Sequence, residues 1–401
     1  MPVFRAAWVL PIAAPPVRDG WVAVEGGLII GVGGGPHRGA ADLGDVVILP
    51  SLVNAHTHLE LSYLRGAIPR ATRFLDWIRP VMAARRTYVD PADPVILSAA
   101  RAGIAESRAA GTGFIGDISN TLVTMPLLQE AGVRAHVFHE LLGFNAPYPD
   151  ARVAAARAVV DAACRTTPAL RASLAPHAPY SVSPALLAAI RRDLDAHPGA
   201  VSTIHAAESP DEVELLASGT GGWKDLLIEL GVWADAWRPP GVSPVAYLET
   251  SGYVDPRVLV VHGVQCGGDD LGRLKAAGAT LVSCPRSNRY VGVGDPPLAD
   301  FYASGVNVAF GTDSLASVED LSVFTELAAA RRLAPGVPAA RLLESATLAG
   351  ARALGCGGEF GSIEAGKQAS LISVRLPGVV DDVEEYLVSG IPPDAITWLD
   401  S

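Results

Sequence analysis

Lysine is almost missing from this 401-residue chain: only Lys224, Lys275 and Lys367 occur, and arginine supplies nearly all the positive charge. Cysteine is scarce too, with Cys164, Cys266, Cys284 and Cys356 and no CxxC spacing. A disulfide framework is therefore not expected, and the four read as small buried apolar residues of a reducing compartment. No apolar run is long enough to span a membrane, and the N-terminal one is interrupted by Pro11, Pro15 and Pro16. An excess of basic charge is also lacking. Its 31 basic and 42 acidic residues give a formal net charge of -11, which argues against nucleic acid or an anionic membrane as the main partner. The expected partner is a small-molecule substrate, the expected location is the cytoplasm, and the composition leaves a homo-oligomer open.

What is present is an ordinary globular composition, 49% hydrophobic and 18% charged, with enough glycine (41) and proline (31) for many short connections. Short strand-like runs occupy 6–10, 20–25, 28–32 and 46–49, and the last forty residues echo them, with an alternating run at 371–374. In the middle, eight β-branched apolar runs recur, at 49–56, 112–118, 135–142, 170–176, 201–206, 258–264, 280–284 and 306–311. Stretches of helical period such as 94–110, 153–164 and 184–196 follow or separate them. Eight strands alternating with helices predict an α/β fold, a closed parallel (β/α)8 TIM barrel. A barrel of about 250–300 residues leaves ~100 over, matched by the β-rich ends. The expected division is 1–49 and 346–401 as the two parts of a small β-sandwich, the latter with the last barrel helix, and 50–345 as the barrel. An insertion at 209–256, with Trp223, Trp233 and Trp237, is placed to cap the pocket.

Barrels of this kind carry chemistry where strands end. Here those ends bear His56 and His58, His177, His205 and Glu208, His262, and Asp313. His56 and His58 stand two apart, so on a strand they share a face. With His205 and Asp313 they make a shell of N and O donors for one divalent ion, leaving a position open for water. Such an ion lowers the pKa of its water from about 15.7 to about 7. Glu208, three residues past His205, is the candidate proton carrier, and His262 and Asp313 would hold or polarise the attacking hydroxide. Taken singly, each has a plainer explanation: core histidines, a helix cap at Glu208, a turn at Asp313. Together they place five of the chain's nine histidines after expected strands, which the plainer explanations do not account for. No lysine falls at such an end, so a two-metal centre bridged by a modified lysine is not expected.

The segments LPSLVNAHTHLELS (49–62), APHAPYSVSP (175–184), HAAE (205–208), VVHG (260–263), SCPRSN (283–288), FGTDS (310–314) and GSIEAGK (361–367) resemble the amidohydrolase superfamily, in its single-metal aminohydrolase branch. The resemblance implies zinc or iron on His56, His58, His205 and Asp313, a proton shuttle at Glu208, an orienting His262, and His177 hydrogen-bonded to the substrate ring. Ser370 departs from it, standing where an Asp often occurs. HTHLELS, the aromatic segment 74–78 and CPRSNRYVG look most like the aminodeoxyfutalosine deaminases of menaquinone biosynthesis, which release ammonia from an adenine-type ring. Glu60, Arg65, His139, Glu140, Arg286 and Arg289 are then candidates for contacts to the sugar or to an acidic tail. A deaminase of S-adenosylhomocysteine, adenosine, guanine or a pterin would share the catalytic set. A chlorohydrolase or cyclic-amide hydrolase would share the metal, and a scaffold without catalysis would keep only the barrel.

Overall fold

The computed structural model describes residues 2–399. Eight strands lie where the apolar runs recur: β1 (Leu52–Thr57), β2 (Thr112–Ser119), β3 (Arg134–Leu141), β4 (Arg171–Pro176), β5 (Ser202–Ala206), β6 (Val258–His262), β7 (Thr280–Ser283) and β8 (Asn307–Phe310). They pair as two four-stranded arcs, β1 to β4 and β5 to β8, parallel throughout. Two seams close the arcs into an α/β barrel. Thr57 pairs with Asp313 in a parallel bridge, and the His205 N–H donates to the His177 carbonyl at 2.9 Å. Both seams run through residues at the strands' C-terminal ends, so closing the barrel also gathers its rim.

Alternation along the strands separates two cores. Phe114, Phe138, Leu259, Val261, Val282 and Ala309 point inward and form one cluster with Leu354, Cys356 and Phe360, which plug the end remote from the histidines. Ile115, Val137, Leu174, Ile204, Val260 and Leu281 point outward against the helices. The helix Pro184–Ala196 shows how that outer layer is specified. Ser183 caps it by accepting from the Leu186 N–H at 3.1 Å, Pro184 occupies its first turn, and Leu186, Leu187, Ala189, Ile190 and Leu194 are buried. Each large apolar side chain so buried contributes roughly 1.5–3 kcal/mol. The helix expected at 153–164 spans Pro149–Thr166, because its first turn is set by Pro149 and carries no apolar stripe.

Both ends of the chain supply one seven-stranded sheet. Its order is Ile396–Trp398, Leu371–Arg375, Val46–Pro50, Val3–Val9, Val17–Glu25, Leu28–Gly34, with Ala41–Asp42 also pairing Val3–Val9. Val9, Val22, Val24, Ile29, Ile48, Ile363 and Leu371 form a core of its own. The run at 49–56 is divided between two sheets: Val46–Pro50 belongs to the terminal one, and the barrel strand starts at Leu52. Ser51 is the joint, its N–H on the Ser370 carbonyl (2.9 Å) and its hydroxyl 2.7 Å from that of Ser370. The three-residue strand Ile396–Trp398 was too short to leave a sequence pattern. The segment 209–256 folds as the helices Pro210–Ser218, Gly222–Glu229 and Pro244–Thr250. Trp223 from it stacks on Tyr180 with ring centroids 3.9 Å apart, which seats this segment over the β4 end. Among the described residues no helix is long and apolar enough to cross a membrane.

Candidate active site

Three imidazoles meet at the rim. One ring nitrogen each of His56, His58 and His205 lies within 4.8 Å of the others. Asp313 turns Oδ1 toward them, 3.6 Å from His58 Nε2 and 3.9 Å from His56 Nε2. His56 is fully buried, yet neither of its ring nitrogens has a hydrogen-bond partner. An orphaned buried imidazole is costly, and a cation lowers that cost by taking its lone pair. Burial, reinforced by the neighbouring imidazoles, holds His56 well below the ordinary histidine range. A neutral ring is the form that coordinates a metal. These four residues could hold a divalent ion.

The ligand atoms are aimed by their neighbours. His205 donates Nδ1–H to the His177 carbonyl at 2.9 Å, with Glu140 Oε1 3.6 Å away, so Nε2 faces His58 at 3.4 Å. Ser287 donates to Asp313 Oδ2 at 2.6 Å, and the Asp313 N–H donates to the His56 carbonyl. Such outer contacts set the direction and basicity of ligands. The β1–β2 register shifts twice, between Leu52 and Val53 and between Asn54 and Thr57, and His56 packs directly on Gly311. A Cβ at Gly311 would sit 2.7 Å from the His56 Cβ and carbonyl oxygen, so only glycine lets β1 and β8 approach there.

The backbone itself is bent into unusual conformations at this rim. Ala207 (φ 51°), His262 (φ 78°) and Asp313 (φ 61°) are three of seven non-glycine residues in the left-handed region among those described. At His262 the consequence is direct. Continued alternation would carry its ring to the face of Val258 and Val260, which pack outward. Instead Nε2 lies 3.6 Å from Glu208 Oε1, while Asn288 Nδ2 donates to Nδ1 at 3.0 Å. With Nδ1 accepting, Nε2 carries the proton of the neutral ring; burial brings this histidine down to about 3. Glu208 is also buried, and that burial, with the charges of Asp313 and Glu212, pushes its carboxyl well above the usual range.

Glu212 is not among the site residues expected from the sequence. Its carboxylate accepts from the backbone N–H groups of Ala207 (3.0 Å) and Glu208 (2.9 Å), holding the left-handed turn that presents Glu208. The signal was available as the S-x-x-E spacing of Ser209 and Glu212, a capping-box pattern at the start of Pro210–Ser218. Asn288 and Ser287 lie inside the SCPRSN segment, and nothing in its letters points to their contacts with His262 and Asp313. Asn120, which donates Nδ2 to Glu140 at 2.9 Å and accepts from Arg85 at 2.7 Å, left no local signal.

The peripheral candidates separate. His177 shares the rim, its Nδ1 2.6 Å from Ser181 Oγ. Glu60 and Glu140 flank the cluster: Glu60 accepts from Ser119 and Thr121, and Asn120 Nδ2 donates to Glu140 at 2.9 Å. His139 shares the outward face of Val137 and Leu141 rather than the inward face of Phe138 and Glu140, since neighbours on a strand point oppositely. The three arginines are engaged elsewhere. Arg65 pairs with Glu106, Arg286 with Glu326 (2.6 Å) and Asp320 (3.0 Å), and Arg289 with Asp295 (2.8 Å). The structure does not bring them to the imidazole cluster.

The amidohydrolase family matches residues 47–393. An aminodeoxyfutalosine deaminase of Deinococcus radiodurans is 36% identical over 332 residues, covering 80% of this chain and 76% of that one. A 5-methylthioadenosine/S-adenosylhomocysteine deaminase of Moorella thermoacetica is 30% identical over 399 residues, covering 95% and 88%. Among solved structures, an adenosine deaminase from Xanthomonas campestris with bound zinc aligns at a TM-score of 0.84 and 28% identity, covering 98% of this chain and 90% of that one. On a barrel whose rim carries this imidazole and carboxylate set, a match of that extent makes the chain a member of the amidohydrolase family, and a hydrolytic deaminase within it.

Proposed function

We propose that the chain removes the amino group of an adenosine-like nucleoside as ammonia, and that its substrate is aminodeoxyfutalosine, in menaquinone biosynthesis. The observation that carries the chemistry is Glu208, a buried carboxyl raised in pKa beside an imidazole cluster and 3.6 Å from His262. In this reading His56, His58, His205 and Asp313 hold one divalent ion, zinc or iron, since imidazole and carboxylate donors accept either. When bound, that ion supplies the acidity that lets water act as a nucleophile near neutral pH.

The side chains do the rest. Glu208 takes the first proton of the water and passes it to the ring nitrogen next to the amino-bearing carbon as the carbon–oxygen bond forms. A carboxyl whose pKa is raised suits both halves of that transfer. The remaining hydroxyl proton then goes to the amino group, the carbon–nitrogen bond breaks, and ammonia leaves behind a ring carbonyl and N–H. His262, with Nδ1 held by Asn288, offers Nε2–H to the attacking oxygen. His177, with Nδ1 taken by Ser181, has Nε2 free for the ring.

A second reading, 5-methylthioadenosine or S-adenosylhomocysteine as substrate, is supported by the relative that covers 95% of the chain. Ammonia release by metal-replete protein against aminodeoxyfutalosine, S-adenosylhomocysteine, adenosine and guanine separates the two. Preference for the first is the expected result. Preference for the second replaces the substrate and keeps the mechanism, and silence on all four with metal bound rejects the nucleoside reading.

A further inference from the structure

The six-residue helix Pro285–Tyr290 follows β7 and supplies two contacts that aim the rim, Ser287 to Asp313 and Asn288 to His262. A helix so short has no stability of its own, so its place is set by what packs against it. Arg286 supplies an anchor. Its Nε donates to Glu326 Oε1 at 2.6 Å and its Nη2 to the Asp320 carbonyl at 2.8 Å, while Nη1 lies 3.0 Å from Asp320 Oδ1. The Arg286 backbone N–H donates to Glu326 Oε2 at 3.3 Å. Glu326, on the helix Val323–Leu333, is fully buried, and only 11% of the Arg286 side chain is exposed. Asp320 lies in the loop that leaves β8 through Asp313. One guanidinium therefore ties the helix after β7 to the loop and the helix after β8.

We propose that Arg286 and Glu326 are positioning residues for the reaction, fixing the helix Pro285–Tyr290 so that Ser287 aims Asp313 and Asn288 aims His262, a role that rests on the metal-centred reading above. Neither has a hydrogen bond or ion pair to the imidazole cluster, to His262 or to Asp313 among the described residues. Successive helix residues are turned by about 100°, so Arg286 faces Glu326 while its two successors face the rim. A shift of the helix would move both aiming contacts at once, and with them Ser317, whose Oγ lies 2.9 Å from Ser287 Oγ. Stability by itself does not call for this pair, because a buried ion pair often holds a fold no better than apolar residues of equal volume. What the planar fork adds is direction, since it must meet a carboxylate and a carbonyl together.

The test uses the full-length protein with zinc. Glu326→Gln keeps the shape and an acceptor oxygen and loses the charge. It should weaken zinc about 10-fold in a chelator competition run well below the melting transition, the lower end of what an outer contact to a ligand is worth. On the nucleoside that the parent deaminates, kcat should fall about 10-fold with KM within about twofold, because only the aim of reacting groups has changed. Asp193→Asn, at the Arg157–Asp193 pair between the helices Pro149–Thr166 and Pro184–Ala196, reports what losing an ion pair does through stability alone. It should lower the melting temperature and leave zinc affinity and kcat unchanged. Arg286→Lys, which keeps the charge but not the fork, should show the losses of Glu326→Gln and serves where that variant fails to fold. In the double variant with Ser287→Ala, zinc affinity should match that of Ser287→Ala within about twofold, since the pair acts on Asp313 through Ser287. Additive losses, or effects no larger than those of Asp193→Asn, would overturn the assignment. A parent that binds no zinc would reject the metal reading and this role together. A parent that binds zinc and releases no ammonia would reject the deaminase reading, and the zinc affinities would still decide the role of the pair.

Discussion

Replacing Glu208 with glutamine exchanges one oxygen for an amide nitrogen at a buried position and leaves every donor of the imidazole cluster in place. Positioned proton transfer is worth about 10²- to 10⁴-fold, so kcat should fall by that factor, about 2.7–5.4 kcal/mol of barrier. Metal content should stay that of the parent, because His56, His58, His205 and Asp313 are untouched. Stability should move the other way. Burial, with Asp313 and Glu212, raises the folded-state carboxyl above its unfolded value of about 4.3. The folded state then binds this proton more tightly than the unfolded chain. In metal-free protein the strain is absent below about pH 4.3 and grows as pH rises through the folded value. Glutamine cannot ionise. Chelator-treated Glu208→Gln should therefore melt no lower than the parent at pH 8, with a weaker pH dependence from about 4.3 upward. Ammonia release, metal analysis and thermal melts at several pH values read all three. Turnover within a few-fold of the parent would remove Glu208 from the mechanism; loss of metal together with turnover would make it a ligand instead.

Ser287→Ala frees Asp313 Oδ2 from its 2.6 Å hydrogen bond and should weaken metal affinity about 10- to 100-fold in a chelator competition, with an unchanged constant refuting the orienting role. Gly311→Ala drives a Cβ to within 2.7 Å of the His56 backbone and should cost roughly 1–3 kcal/mol in denaturation and lower metal content; a parental melting curve would show that β1 and β8 yield there. Arg286→Ala strands the fully buried Glu326 without its partner and should destabilise by about 3–5 kcal/mol. Its preference among nucleoside tails should survive, and loss of that preference at full stability would return Arg286 to the substrate.

The eight barrel strands, the helices between them and the clustering of histidines at strand ends were legible in the sequence by itself, because they depend on local quantities. β-Branched apolar runs mark strands, a 3.6-residue apolar period marks helices, and the barrel follows from their alternation. What only the tertiary structure decided depends on residues distant in the chain. Whether Arg286 is free for a ligand is settled by Glu326, forty residues on, and Arg65 is taken by Glu106. His139 and Glu140 are adjacent letters of equal polarity, and the pleat sends them to opposite faces. The left-handed turn of His262 toward Glu208 breaks the alternation from which its direction would be read, and no neighbouring residue announces it. Arg85 and Arg86 look like a helix end in sequence; they come to line a cavity only after Glu60, Thr121 and Ile96 are folded against them. Local pattern determines which elements form, whereas the partner of each charge and the aim of each side chain are set by packing across the chain.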